Sequence, residues 1–157
     1  MINDIARVLD ASPAALIGYQ KQELRLESLA DVVFVLDELY KKAGLHFDID
    51  VKRPPQDEEW SCSLRFDGKN AEAEYNADFC QFLEQYAHER LCLETYFTDQ
   101  DYFDQWLEKQ LAYFSTTTLE DRKMEKLTTE ERLRRRNALD QKLLEAKRKA
   151  AEENGGE

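Results

Sequence analysis

Cysteine, histidine, glycine and proline are all scarce in this chain of 157 residues, and the shortages narrow what it can do. Three cysteines, Cys62, Cys80 and Cys92, form an odd set with no Cys-x-x-Cys spacing. A secreted disulfide scaffold has an even count in a smaller, loop-rich chain, so reduced and mostly buried thiols are expected here. Five glycines supply no phosphate-cradling loop, and no Gly-x-Ser-x-Gly elbow occurs. Nucleophilic catalysis needs a base and an orienting group beside a Ser or Cys, and only two histidines could serve as that base. Long apolar runs are missing too. The stretch around Val32–Val35 falls far short of the ~20 residues that a membrane span requires. No basic segment followed by an apolar one opens the chain, so no signal peptide is read and a cytoplasmic protein is expected.

Charge is plentiful and uneven. The chain carries 22 Lys+Arg against 33 Asp+Glu, a net of -11. Residues 120–157 hold 11 of the basic residues and 10 of the acidic ones, a net of +1, so residues 1–119 carry a net of -12. That body repels nucleic acid at long range, although the tail is locally basic at "RLRRR" and "KRK". Acidic residues flank both runs, and a solvated helix face accounts for them.

The apolar pattern predicts helices around one hairpin. Ile2, Ile5, Ala6 and Leu9 recur at helical spacing, and Ser12 followed by Pro13 starts a short helix that Gly18 closes. Ser28 and Asp31 resemble a capping box ahead of a stripe of Leu29, Val32, Val33, Leu36, Leu39, Tyr40 and Ala43. Phe34 and Val35 lie off that stripe, which predicts burial on more than one side. "LHFDIDVKR" and "WSCSLRF" both alternate. They place Leu45, Phe47, Ile49, Val51, Trp60, Cys62, Leu64 and Phe66 on an inner face, joined by the turn "PPQDEE". Such a hairpin is marginal alone and is expected to lie on helices. A long helix starts at Tyr75 or Asn76, a second is capped by Thr98 with Asp101, and Thr118 with Asp121 caps a short segment. Thr128 with Glu131 caps the last, highly charged helix. The fold class predicted is α+β, mostly helical, with one two-stranded antiparallel hairpin packed on helices.

Two constellations invite a chemical reading. His46, Asp48 and Asp50 share a strand face, where carboxylates could hold a hard cation. The facing positions Ser61, Ser63 and Arg65 add no ligand, and alternation alone makes this the solvent side. Cys80, Glu84, His88 and Cys92 follow at steps of four on one helix. Neighbours at that spacing can share a metal, but each step turns by about 40°, so the four diverge. No catalytic residue, metal ligand or cofactor site is therefore assigned. The aromatic stripe Tyr102, Phe103, Trp106, Leu107, Leu111 and Phe114 suits core packing or a partner helix better than base stacking, because its surroundings are acidic.

"IARVLDASPAALIGY" resembles the end of the helix-turn-helix domain of Cro/C1-type (xenobiotic-response-element type) transcriptional regulators. Ile5, Ala6 and Leu9 match the penultimate helix, Ala11 and Ser12 the turn, and Leu16, Ile17 and Gly18 the closing helix. The resemblance covers about 18 residues. The remainder resembles, more loosely, the C-terminal region of some bacterial regulators of this kind. The turn and recognition helix that enter the major groove would precede these residues, so no DNA-contacting residue carries over.

The resemblance implies three parts: a helix-turn-helix remnant at 1–25, an α+β regulatory or dimerisation domain at 26–119, and a charged helical tail at 120–157. The function expected is the regulatory and dimerisation module of a DNA-binding regulator, without the base-reading helix and without enzymatic activity. It would bring two heads to the spacing of operator half-sites, and a ligand or partner would alter that geometry. The partner expected is a second copy or a related regulator, with DNA reached only through the missing segment and no membrane. Tyr102, Phe103, Trp106 and Phe114 are the candidates for self-association. The alternative is a stand-alone acidic module that sequesters a full-length regulator, and behind it an uncharacterised enzyme or metal-binding protein.

Overall fold

A computed structural model describes residues 24–154. The two N-terminal helices read from the sequence lie outside the described residues. The chain divides into two compact units, Met1–Arg122 and Lys123–Glu157. The fold is α+β: four described helices and one antiparallel hairpin.

In the first unit, helix α1 spans Leu29–Lys41. The Ser28 hydroxyl accepts from the Asp31 N–H, and the Asp31 carboxylate accepts from the Ser28 N–H at 2.7 Å. This is the reciprocal box anticipated from sequence, and it satisfies two donors that a helix start leaves open. No residue of α1 is buried. The expectation of burial on more than one side fails: Leu29, Val32, Val33, Phe34 and Tyr40 all stay exposed. Gly44 then takes a φ of +80°, and a Cβ there would come within 2.6 Å of the Tyr75 ring. Turn conformation and close approach both demand glycine.

Strands β1 (Phe47–Lys52) and β2 (Ser61–Phe66) pair antiparallel, with Phe47 opposite Phe66, Ile49 opposite Leu64 and Val51 opposite Cys62. The faces alternate as the sequence predicts. Only one end of the inner face meets a helix: Phe66 packs edge-on against Phe79, with ring centroids 4.9 Å apart. Trp60 lies just before β2, exposed, with the Arg53 guanidinium 4.6 Å from its ring centre.

Helix α2 (Asn76–Glu94) packs on helix α3 (Gln100–Phe114). Aromatic rings fill the seam. Phe82 stacks on Trp106 at 6.1 Å and meets Phe114 edge-on at 5.9 Å, while Tyr86 reaches Phe103 and Trp106. Aromatic pairs at such separations add stabilisation beyond area burial. The cap of α3 is Asp99, whose carboxylate accepts from the Tyr102 N–H at 2.8 Å. Sequence spacing points to Thr98, one residue earlier. Its hydroxyl is instead buried without a hydrogen-bond partner among the described residues.

After α3 the chain returns to the end of α1. The Ala43 N–H donates to the Glu120 carbonyl, the Arg122 N–H donates to the Lys41 carbonyl, and Lys42 pairs with the Asp121 carboxylate at 2.5 Å. Asp121 thus belongs to a β-bridge with Lys42, not to a helix cap. The Arg122 guanidinium donates to the carbonyls of Lys42 and Leu45 and lies over the Tyr40 ring.

The second unit contains helix α4, Thr129–Asn154. Thr128 accepts from the Glu131 N–H, as the sequence implies. Arg135 bridges Glu125 and Glu131, both at 2.9 Å.

Candidate functional site

The few buried groups and the many exposed apolar ones define what this molecule offers to others. Among the described residues the buried apolar side chains are Leu45, Ala73, Phe103 and Ala112. The fully buried polar side chain is Asn76. Its amide accepts from the His46 N–H at 3.0 Å and donates to the His46 and Asp67 carbonyls at 2.8 and 3.0 Å. One side chain therefore ties the entry of β1, the exit of β2 and the first turn of α2 together. Three hydrogen bonds offset the cost of burying the amide.

Around this knot two apolar surfaces remain open. One is on α1, where Leu29, Val32, Val33 and Tyr40 of the stripe, and Phe34 beside it, are all exposed. The other is the hairpin face beyond its phenylalanine end, where Ile49 is 55% exposed, Val51 61% and Leu64 45%, with Cys62 exposed beside them. These are the residues that the sequence places on inner faces. An apolar face so arranged and uncovered is the usual mark of an interaction surface.

A cavity of about 420 Å³ opens where α1, α2 and α3 approach each other. Leu39, Leu45, Phe79, Phe82, Leu111 and Phe114 form most of its wall, and Asp78, Gln110, Ser115 and Thr117 supply polar atoms. Its size suits a small apolar molecule.

The residues expected to self-associate divide. Phe103 is buried, and Trp106 and Phe114 are half-buried in the seam between α2 and α3, where Phe114 also lines the cavity. Tyr102 is exposed on the same helix. Three of the four thus already have partners within the chain.

The metal-ligand candidates are dispersed as well. The Cys80 thiol donates to the Phe66 carbonyl at 3.4 Å, while Cys92 lies 3.7 Å from the His88 ring nitrogen. His46 is 3.5 Å from Asp48, whose carboxylate accepts from Arg65 at 2.9 Å. Among the described residues no group of three or more His, Cys, Asp or Glu could hold a metal ion. All three cysteines are free, with Cys80 and Cys92 half-buried and Cys62, against expectation, exposed.

Asn76 and Arg122 escape sequence reading. An asparagine at a helix start reads as an ordinary cap, and an arginine in a charged tail reads as a solvated one. No described helix is long and apolar enough to cross a membrane. Comparison with protein-family models, with curated proteins and with solved structures finds no match for the chain.

Proposed function

We propose that residues 24–122 are an assembly module, the part of a Cro/C1-type transcriptional regulator that joins two polypeptides rather than reading bases or performing chemistry. The observation that carries this reading is the exposed apolar side of α1 and the hairpin, with few buried apolar side chains among the described residues. Exposed leucine, isoleucine, valine and phenylalanine side chains cost free energy in water, and a partner surface removes that cost at about 25 cal/mol per Å² of apolar area. The resemblance of Ile5–Gly18 to the close of a helix-turn-helix domain supplies the regulator half of the proposal. The net charge of -11 argues that the chain itself does not hold DNA.

The test joins residues 24–157 behind a helix-turn-helix head that is monomeric by itself. Operators with two half-sites one helical turn apart should then be bound far more tightly than a single half-site, because the module makes the second contact intramolecular. Equal affinity for one and two half-sites would sink the assembly reading.

A further inference from the structure

The hairpin has two unpaired edges among the described residues, and they differ in what they can accept. A lone two-stranded sheet is marginal in water, and three or more strands with an apolar face are needed for independent stability. Each edge is a row of free backbone donors and acceptors. We propose that the outer edge of β2 pairs with the same edge of a second copy, antiparallel about a two-fold axis at Ser63, to give a four-stranded sheet. The proposal rests on the assembly reading above and names its interface.

Charge and face select this edge. When a strand pairs antiparallel with its own copy, the axis must pass through a residue, or apolar positions would face polar ones. On β1 an axis at Ile49 sets Asp48 against Asp50 of the second copy, and an axis at Asp50 sets that carboxylate against itself. Like charges directly opposite are destabilising. On β2 an axis at Ser63 sets serine against serine, Ser61 against Arg65 and Cys62 against Leu64, and no like charges meet. Arg65 is already neutralised by Asp48 at 2.9 Å and lies 3.9 Å from Asp50. An axis at Leu64 is less suitable, because it needs Phe66, whose ring is packed on Phe79 and whose carbonyl accepts from Cys80.

The register within the hairpin then continues across the axis. Ile49 is opposite Leu64 and Val51 opposite Cys62 in one chain, so each apolar row becomes Ile49, Leu64, then Cys62 and Val51 of the second copy. Two such rows cover one face of the sheet. The contact is isologous and closes at two chains, whereas pairing β1 with β2 of another copy would propagate into a filament.

The experiment measures mass and cross-linking together. Sedimentation equilibrium of the full chain should give a dimer. In a Cys62→Ala background, Ser63→Cys places two thiols with Cα atoms about 4.5–5.5 Å apart, within disulfide reach. Asp50→Cys places them three strand spacings, about 14 Å, apart. Mild oxidation should cross-link the first variant and leave the second, and the Cys62→Ala parent, largely uncross-linked. Leu64→Lys, at an exposed position, should weaken the dimer at least about tenfold while keeping the circular dichroism of the parent. A dimer in which Ser63→Cys links no faster than Asp50→Cys overturns the β2 edge and leaves the assembly reading standing. A monomer at micromolar concentration overturns both.

Discussion

Asn76 shows how much one side chain can hold. Its amide satisfies three backbone groups of the hairpin, and each would be left without a partner in Asn76→Ala. Loss of about 2–4 kcal/mol is expected, since unpaired buried groups cost more than a hydrogen bond contributes. Urea unfolding followed by circular dichroism would read it as a lower midpoint with an unchanged slope. Tyr96 presents the opposite case. It ends α2 with a φ of 61°, a region costly for any residue with a Cβ, and its side chain is 93% exposed. Tyr96→Gly should therefore stabilise by about 0.5–1 kcal/mol, read by the same urea titration. A decrease would mean that the ring has a partner.

The helices differ in what stabilises them, and α4 is the most exposed to solution conditions. The guanidinium of Arg135 beside Glu125 holds that carboxyl below its ordinary value of 4.5. Arg134, followed by Arg135, does the same for Glu131. Because the folded values are depressed, the stabilisation is fully present above pH 4.5 and is lost as pH falls through the lowered values. Ellipticity at 222 nm should thus drop on acidification below about pH 4.5. In Arg135→Gln the helix should be less stable at neutral pH and the acid limb should shrink, because one cause of the depressed values is gone. An identical acid limb in both proteins would count against these pairs.

Much of this element level was legible beforehand. The box at Ser28 and Asp31, the cap at Thr128 and the two faces of the hairpin follow from local rules of spacing and side-chain reach. The cap of α3 was misplaced by one residue because Thr98 and Asp99 both carry suitable oxygens, and only the path of the chain decides which one points at the helix. Asp121 looks like a helix cap in sequence because its pairing partner, Lys42, lies 79 positions away.

At the scale of the whole molecule, the net charge of -11 opposes the association proposed for it. Two such chains repel over distances that salt screens, with a Debye length of about 30 Å at 0.01 M falling to about 10 Å at 0.1 M. Dimerisation should therefore strengthen as sodium chloride rises from about 10 to 100 mM, reversing the usual trend for contacts made by opposite charges. Sedimentation equilibrium at a series of salt concentrations would check it. Weakening with salt would point to an interface built on ion pairs and away from apolar strand edges.

Among the described residues, the sequence by itself determined the types and order of the four helices and the hairpin, the caps at Ser28 and Thr128 and the two faces of the hairpin, because periodicity and capping act within a few residues of chain. It also suggested which residues would be apolar neighbours. Only the tertiary structure decided which apolar faces are used inside the chain and which are left open. Phe103, Trp106 and Phe114 were read as a contact surface, yet three rings from α3 found Phe82 and Tyr86 across the seam. The alternation places Ile49, Val51 and Leu64 on the inner face, yet about half of each stays exposed there. Amphipathicity specifies that a face needs cover, and it carries no information about whether the cover comes from the same chain or from another.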